Sequence, residues 1–199
     1  MIVFDESTLI VEFQPVNLRN FKDLPRFRLF PYSCRYCAFW ETVDFSDKTS
    51  KKNAEETKWK WFTNVARRFG NCGFIAYLDM KPVGFAEYAP VECFPSVSKY
   101  DDLIPSREAI FLACLYVPNR ELRRKGVGTQ LFQKVSSDLR DRGYKALEAF
   151  ARTTDAPSDT VPDWYTGPLE FFIKMKFEVL NKRGQIALVR KELMLENQA

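Results

Sequence analysis

Histidine is absent from the chain's 199 residues, and that absence removes several chemistries at once. Without an imidazole there is no Ser-His-Asp triad, no Cys-His pair and no His-containing zinc centre. Proton transfer falls to carboxylates, lysine, tyrosine, cysteine or water. No apolar run approaches the roughly 18 residues of a membrane-crossing helix. The opening MIVFDEST carries acidic residues where a secretory leader would be basic, so the cytoplasm is the expected compartment. Neither well-known phosphate loop occurs. A Gly-Lys pair, required by G-x-x-x-x-G-K-[ST], is missing, and G-x-G-x-x-G fails at Leu131, where a small residue is needed. A strong excess of one charge is lacking too: 30 Lys and Arg against 26 Asp and Glu give a net charge of +4, with the signs interspersed. That balance gives no mandate for nucleic acid. Internal repeats and low-complexity tracts are absent, and the length fits one domain with a substantial core.

The most informative stretch present is IFLACLYVPNRELRRKGVGTQLF, residues 110 to 132. Ile110 to Val117 is a near-continuous apolar run, as expected of a strand buried on both faces, and Pro118 with Asn119 ends it. From Gly126 the period becomes helical. Val127, Leu131, Phe132, Val135 and Leu139 share one face, and Gly143 stops the helix. Arg123, Arg124 and Lys125 precede Gly126, Val127 and Gly128 at the junction. A helix N-terminus has backbone N–H groups without intrahelical partners and the positive end of the dipole, so it attracts anions. Glycines let a phosphate approach that backbone without meeting a Cβ, and the basic side chains add charge.

Flanking segments are read in the same way. Residues 73 to 91 form a hairpin turning at Asp79 to Pro82. Ala146 to Ala151 is a short strand, and Gly167-Pro168 opens a helix over Leu169 to Lys176. Phe177 to Leu180 and Ile186 to Val189 form a closing hairpin around Asn181 to Gly184. Residues 49 to 70 form a packing helix with Trp61, Phe62, Val65 and Phe69 on one stripe and Lys and Arg outside. The stretches 94 to 109 and 153 to 166 are long loops of the kind that shape binding sites.

Arg123, Gly126 and Gly128 in their strand, turn and helix context read R-x-x-G-x-G. This resembles the acyl-coenzyme A signature of the GNAT acetyltransferase superfamily. The phrase FFIKMKFEVL looks like the family's closing helix and strand, with Lys176 where glycine is common. The resemblance covers roughly residues 72 to 190, with a family-like helix before it. It implies one α/β (α+β) domain over 1–199: a mixed, mostly antiparallel sheet with a splayed parallel strand pair and helices on both faces. The coenzyme core would be about 72–190, and residues 1–71 would supply acceptor-side elements. The implied activity is N-acetyl transfer from acetyl-CoA to a primary amine, of a small molecule or a protein, by direct attack in a ternary complex. Such a reaction needs no enzyme nucleophile and so suits a chain without histidine. The resemblance places pantetheine along Leu115, Tyr116 and Val117, an oxyanion-binding N–H near Tyr116 or Val117, and the pyrophosphate against Arg123, Arg124, Lys125, Gly126, Val127, Gly128 and Thr129. Homodimers are common in this family.

Proton-transfer candidates are Glu87 and Tyr165. Glu87 lies in an apolar strand, where with Val83 and Phe85 on its face a carboxylate would have a raised pKa and could act as base. The alternative is an exposed or strand-end salt bridge, and Glu41 and Glu92 compete for the role. Many family members carry a tyrosine acid at the place of Phe172. Tyr165 could replace it as acid, or simply pack beside Trp164.

The segment SCRYCAFWE, residues 33 to 41, admits a redox pair, half of a zinc site completed by Cys72 and Cys93, or buried cysteines. The last is favoured, because free cysteine is among the most buried residue types, and no metal is assigned. By resemblance to similar GNAT segments, Tyr36, Trp40 and Glu41 are candidates for acceptor recognition. Two other classes of function stay open: an acyl-CoA-binding or regulatory module without efficient catalysis, and a cysteine-based zinc or redox protein.

Overall fold

The computed structural model describes residues 9, 11–25, 33–46, 48–153 and 167–193. Among them, strands β1 (Glu12–Pro15), β2 (Gly73–Leu78), β3 (Lys81–Pro90), β4 (Ile110–Tyr116), β5 (Ala146–Arg152), β6 (Glu178–Arg183) and β7 (Ile186–Glu192) form one sheet ordered β1-β2-β3-β4-β5-β7-β6. Every pairing is antiparallel except β4 with β5. Helices α1 (Lys51–Phe69), α2 (Val127–Asp141) and α3 (Leu169–Lys174) complete the regular structure. No helix among the described residues is long and apolar enough to cross a membrane.

The elements arise from local chemistry. Ser50 starts α1 by accepting a hydrogen bond from the Asn53 N–H at 3.2 Å, and Gly70 ends it at φ +87°. The hairpin of β2 and β3 turns through Asp79 and Met80, both at positive φ, which matches the right-handed twist of the strands. Lys176, at φ +65°, holds the left-handed position after α3 where glycine is common. The closing hairpin is tighter than the expected turn at 181 to 184. Asn181, Lys182 and Arg183 continue β6 and pair with Leu188, Ala187 and Ile186. Polar residues suit that position because β6 is an edge strand whose side chains point largely to water. The stretch 94 to 109 is not an open loop. It folds into short 3-10 turns that bury Phe94, Val97 and Leu103.

Two cores flank the sheet. Under α2 and α3 lie Val127, Leu131, Phe132, Val135 and Leu139 with Phe172, Phe177 and the facing strand residues. Each fully buried side chain there contributes roughly 1.5–3 kcal/mol relative to exposure. On the other face α1 and the 33–41 segment cover Phe85, Phe111 and Phe150.

Two register shifts decide which side chains meet in each core. Ala76 pairs with Gly84 but Tyr77 with Pro82, so Val83 is an extra residue. It therefore turns into the α2 core and does not share a face with Glu87, as strict alternation would have it. Glu87 pairs with Cys114 but Tyr88 with Leu112, so Ala113 is an extra residue in β4.

Candidate active site

Strands β4 and β5 pair only at Ile110 with Leu147, Phe111 with Glu148 and Leu112 with Ala149. Both strands continue, to Tyr116 and Arg152, without pairing to each other. Beyond the Ala113 bulge they part, leaving a cleft along β4; on the β5 side the Arg152 N–H donates to the Gly167 carbonyl at 3.2 Å. Backbone N–H and C=O groups along such a parted strand need partners, so the cleft is suited to an extended, amide-bearing ligand. Leu115 is buried there, and Tyr116 and Val117 are half-buried.

At the end of the cleft the chain turns into α2. Arg123 folds back, its Nε donating to the Val117 carbonyl at 2.9 Å and its guanidinium lying 5.6 Å from the Tyr116 ring centre. It braces the turn between strand and helix. Arg124, at φ +63°, and Lys125 are exposed. Gly126 is the N-cap of α2, left-handed at φ +81° and with no side-chain cap hydrogen bond. The first-turn N–H groups of Val127, Gly128 and Thr129 thus meet no capping side chain from the N-cap residue. A Cβ at Gly128 would lie 3.8 Å from the Phe171 ring, an ordinary contact, so internal packing does not demand glycine there.

On the opposite face stands a buried charge cluster. The Lys58 ammonium donates to Glu87 Oε2 at 2.6 Å and to Glu41 Oε1. All three side chains are at most 3 % exposed. Glu41 Oε2 and Glu87 Oε1 have no hydrogen-bond partner among the described residues. Burial and the neighbouring Glu41 charge push the Glu87 pKa well above the carboxylate range, against the opposing pull of Lys58. Burial alone would depress the Lys58 pKa, but the two carboxylates overcome it and keep the ammonium charged. Because Glu87 pairs in register with Cys114, the cluster sits one strand in from the parted edge of β4.

The other expected site residues are dispersed. Trp40 is buried and packs against Phe39, Tyr100, Phe111 and Phe150 with ring centres 4.9–5.8 Å apart, inside the aromatic core. Tyr36 is half-buried beside Arg35, whose guanidinium donates to Glu55 and ties this turn to α1. Glu92 is exposed. Tyr165 lies outside the described residues. Phe172 is fully buried against Phe171 and Phe177.

The cysteines Cys34, Cys37, Cys72 and Cys114 are buried and free, and burial raises the pKa of Cys37 and Cys72. Among the described residues no group of three or more His, Cys, Asp or Glu is placed to hold a metal. Ser33 to Cys37 form a single closed turn, with the N–H groups of Tyr36 and Cys37 both donating to the Ser33 carbonyl. A cavity of about 350 Å³ opens between Lys22, Asp23, Leu24, Pro25, Pro82 and Pro118. Its lining includes Pro82 at the start of β3 and Pro118 just past the end of β4.

Lys58 is the residue that sequence reading misplaces. Its charge assigns it to the solvent face of the helix, yet it lies on the buried stripe Ala54, Lys58, Trp61, Phe62 and Val65. A signal is present in the sequence: Lys58 stands four residues after Ala54 and three and four before Trp61 and Phe62, the spacing of one helix face.

A family model described as "Acetyltransferase (GNAT) family" matches residues 35–161, more than half of the chain. No curated protein matches it in sequence. Several solved structures share the fold. An N-acetyltransferase from Staphylococcus aureus Mu50 aligns with TM-score 0.58 at 15% identity, over 94% of this chain and 100% of that one. The PaiA N-acetyltransferase from Thermoplasma acidophilum, in complex with coenzyme A, aligns with TM-score 0.53 at 14% identity, over 92% and 99%. An aminoglycoside 6'-N-acetyltransferase complexed with coenzyme A gives 0.56 at 12% identity, over 94% and 99%.

Proposed function

This chain belongs to the GNAT acetyltransferase family, and from that premise we propose that it transfers the acetyl group of acetyl-CoA to a primary amine by direct attack, with both substrates bound together. The observation that carries this reading is the parting of β4 and β5 beyond Leu112 and Ala149, with the Gly126-capped start of α2 at the same end. Pantetheine amides would pair with β4 along its parted side at Leu115, Tyr116 and Val117. The pyrophosphate would lie on the N–H groups of Gly126 to Thr129, with Arg124 and Lys125 adding charge and Arg123 holding the turn. A backbone N–H at Tyr116 or Val117 would stabilise the oxyanion. Two glycines at this junction, one with φ +81° and one not demanded by packing, suit the close approach of a phosphate.

In this reading Glu87 takes the proton of the acceptor amine. Burial and the Glu41 charge raise its pKa above the ordinary carboxylate range, which makes the ionised carboxylate a stronger base. It stands one strand from the cleft, so the proton reaches it through an intervening water. Tyr165 is the proposed acid for the departing thiolate. Tyr36 is proposed to border the acceptor, while Trp40 and Glu41 support that border from the core. The proposed compartment is the cytoplasm.

Thermal unfolding with and without acetyl-CoA tests the coenzyme cleft. A ligand at about 100 times its Kd stabilises by about 2.7 kcal/mol, and the resulting rise in Tm should disappear in folded Gly126→Asp, whose carboxylate repels phosphate. No rise in the unsubstituted protein would overturn the reading. One observation favours a second reading, a coenzyme-binding module without efficient turnover: Phe172, at the place of the family's tyrosine, is sealed in an apolar core and cannot donate a proton. Acetyl-CoA binding without labelled acetyl reaching any amine in a broad panel would select it.

A further inference from the structure

Building on the proposed role of Glu87, we infer that Lys58 is a positioning residue and Glu41 its charge partner in a three-residue cluster that holds one exchangeable proton beside the β4 bulge. The three side chains come from separate elements: Glu41 from the segment after the 33–37 turn, Lys58 from α1 and Glu87 from β3. Ionised, they sum to one negative charge on side chains that are at most 3 % exposed. One oxygen of each carboxylate is taken by Lys58, and the other has no partner among the described residues. Two buried acceptors without donors among the described residues call for a hydrogen. A single proton turns one carboxylate into a donor and brings the cluster to neutrality. Lys58 keeps the uptake at one proton, because removing the ammonium would leave two carboxylates to neutralise.

The other titratable groups around Glu87 do not supply this charge. Cys72 precedes β2, Cys114 lies opposite on β4, and Cys34 and Cys37 line the turn before Glu41. Cys37, Cys72 and Cys114 are held as neutral thiols, the first two mainly by burial and Cys114 first by its hydrogen bond with Cys34. The lysine thus sets how many protons the carboxylates hold, and also where the Glu87 carboxylate points.

Infrared titration of the purified chain without acetyl-CoA tests this. The carboxylic C=O band of a buried protonated glutamate should be present at neutral pH and lost in Glu87→Gln or Glu41→Gln. Glu41→Gln leaves a neutral Glu87–Lys58 pair that needs no proton. Lys58→Met should double the band, and Lys58→Arg should keep it single. A purely structural lysine would lower Tm without moving the band in opposite directions in the Lys58→Met and Glu41→Gln variants. If Lys58→Met does not fold, Glu41→Gln alone decides. An unchanged band in folded Glu41→Gln, or no such band in the unsubstituted protein, would overturn the inference. The titration is independent of acetyl transfer, so a normal band pattern without an acetyl-CoA-induced rise in Tm would retain the cluster and reject the proposed function.

Discussion

The two faces of the sheet solve the problem of burial differently. The α2 face is built mainly from aliphatic side chains at regular helical and strand spacing, with single rings such as Phe74, Tyr88, Phe132 and Phe172 from β2, β3, α2 and α3. The α1 face packs Trp40, Trp61, Phe62, Phe85, Phe94, Phe111 and Phe150 around a lysine and two glutamates. On the first face the site chemistry is backbone chemistry: a parted strand edge and a helix start. On the second it is side-chain chemistry, placed where desolvation magnifies every charge. A buried ion cluster is weak evidence for stability, since its desolvation offsets much of the attraction. Its retention inside an otherwise apolar core therefore points to a use other than holding the fold.

The largest expected effect sets the two faces against each other directly. Lys58→Met removes the ammonium and leaves two carboxylates buried, which should cost about 3–5 kcal/mol. Leu131→Ala in the other core empties a fully buried position and should cost about 2–5 kcal/mol. In urea unfolding across a range of pH, the Leu131→Ala deficit should stay constant, whereas the Lys58→Met deficit should grow with rising pH as its carboxyls are forced to ionise. Parallel pH profiles for the two variants would erase the distinction between the faces.

Glu87 itself sharpens the contrast with a smaller signal. Its folded pKa lies above its ordinary value of 4.5, so the folded state binds the proton more tightly than the unfolded state does. Stability from this group is fully present below the ordinary value and is lost as pH rises through the folded pKa. The advantage of the unsubstituted protein over Glu87→Gln should therefore decline from mildly acid pH upward. The opposite slope would mean that Glu87 is held as a carboxylate by Lys58. The cluster titrates as a unit, so the slope reports on the pair of carboxyls and not on one residue alone.

What is legible in the sequence divides along the same line. The stripe Val127, Leu131, Val135 and Leu139 and the strand from Ile110 obey local rules, and both stand as expected. The buried lysine is misread because hydropathy assigns lysine to water. Only its spacing to Ala54, Trp61 and Phe62 argues otherwise, and the cost of burying it is met by partners 17 and 29 residues away in sequence. Val83 is misassigned for a related reason. Alternation is a local rule, and the bulge that breaks it is set by pairing with β2. Each glutamate of the pair is identifiable singly, but the lysine joining them is visible only in three dimensions.

The smallest expected effect concerns how α1 carries Lys58 into place. Ser50 caps the helix through its bond from Asn53, while Lys51 and Lys52 occupy a first turn that contains no acidic residue. Two cations at the positive end of the dipole are unfavourable, which leaves the cap as the main local stabiliser of that end. Ser50→Ala should cost about 1 kcal/mol, and Ser50→Asp should keep the cap and add a few tenths of a kcal/mol through the dipole. Both differences are measurable by urea unfolding. Neither variant should change the carboxylic infrared band, because Lys58 lies two turns further on and is held from its far end by Glu41 and Glu87. A band that weakened in Ser50→Ala would mean that the charge cluster depends on the start of the helix, and that the aromatic face is a less rigid frame than its packing implies.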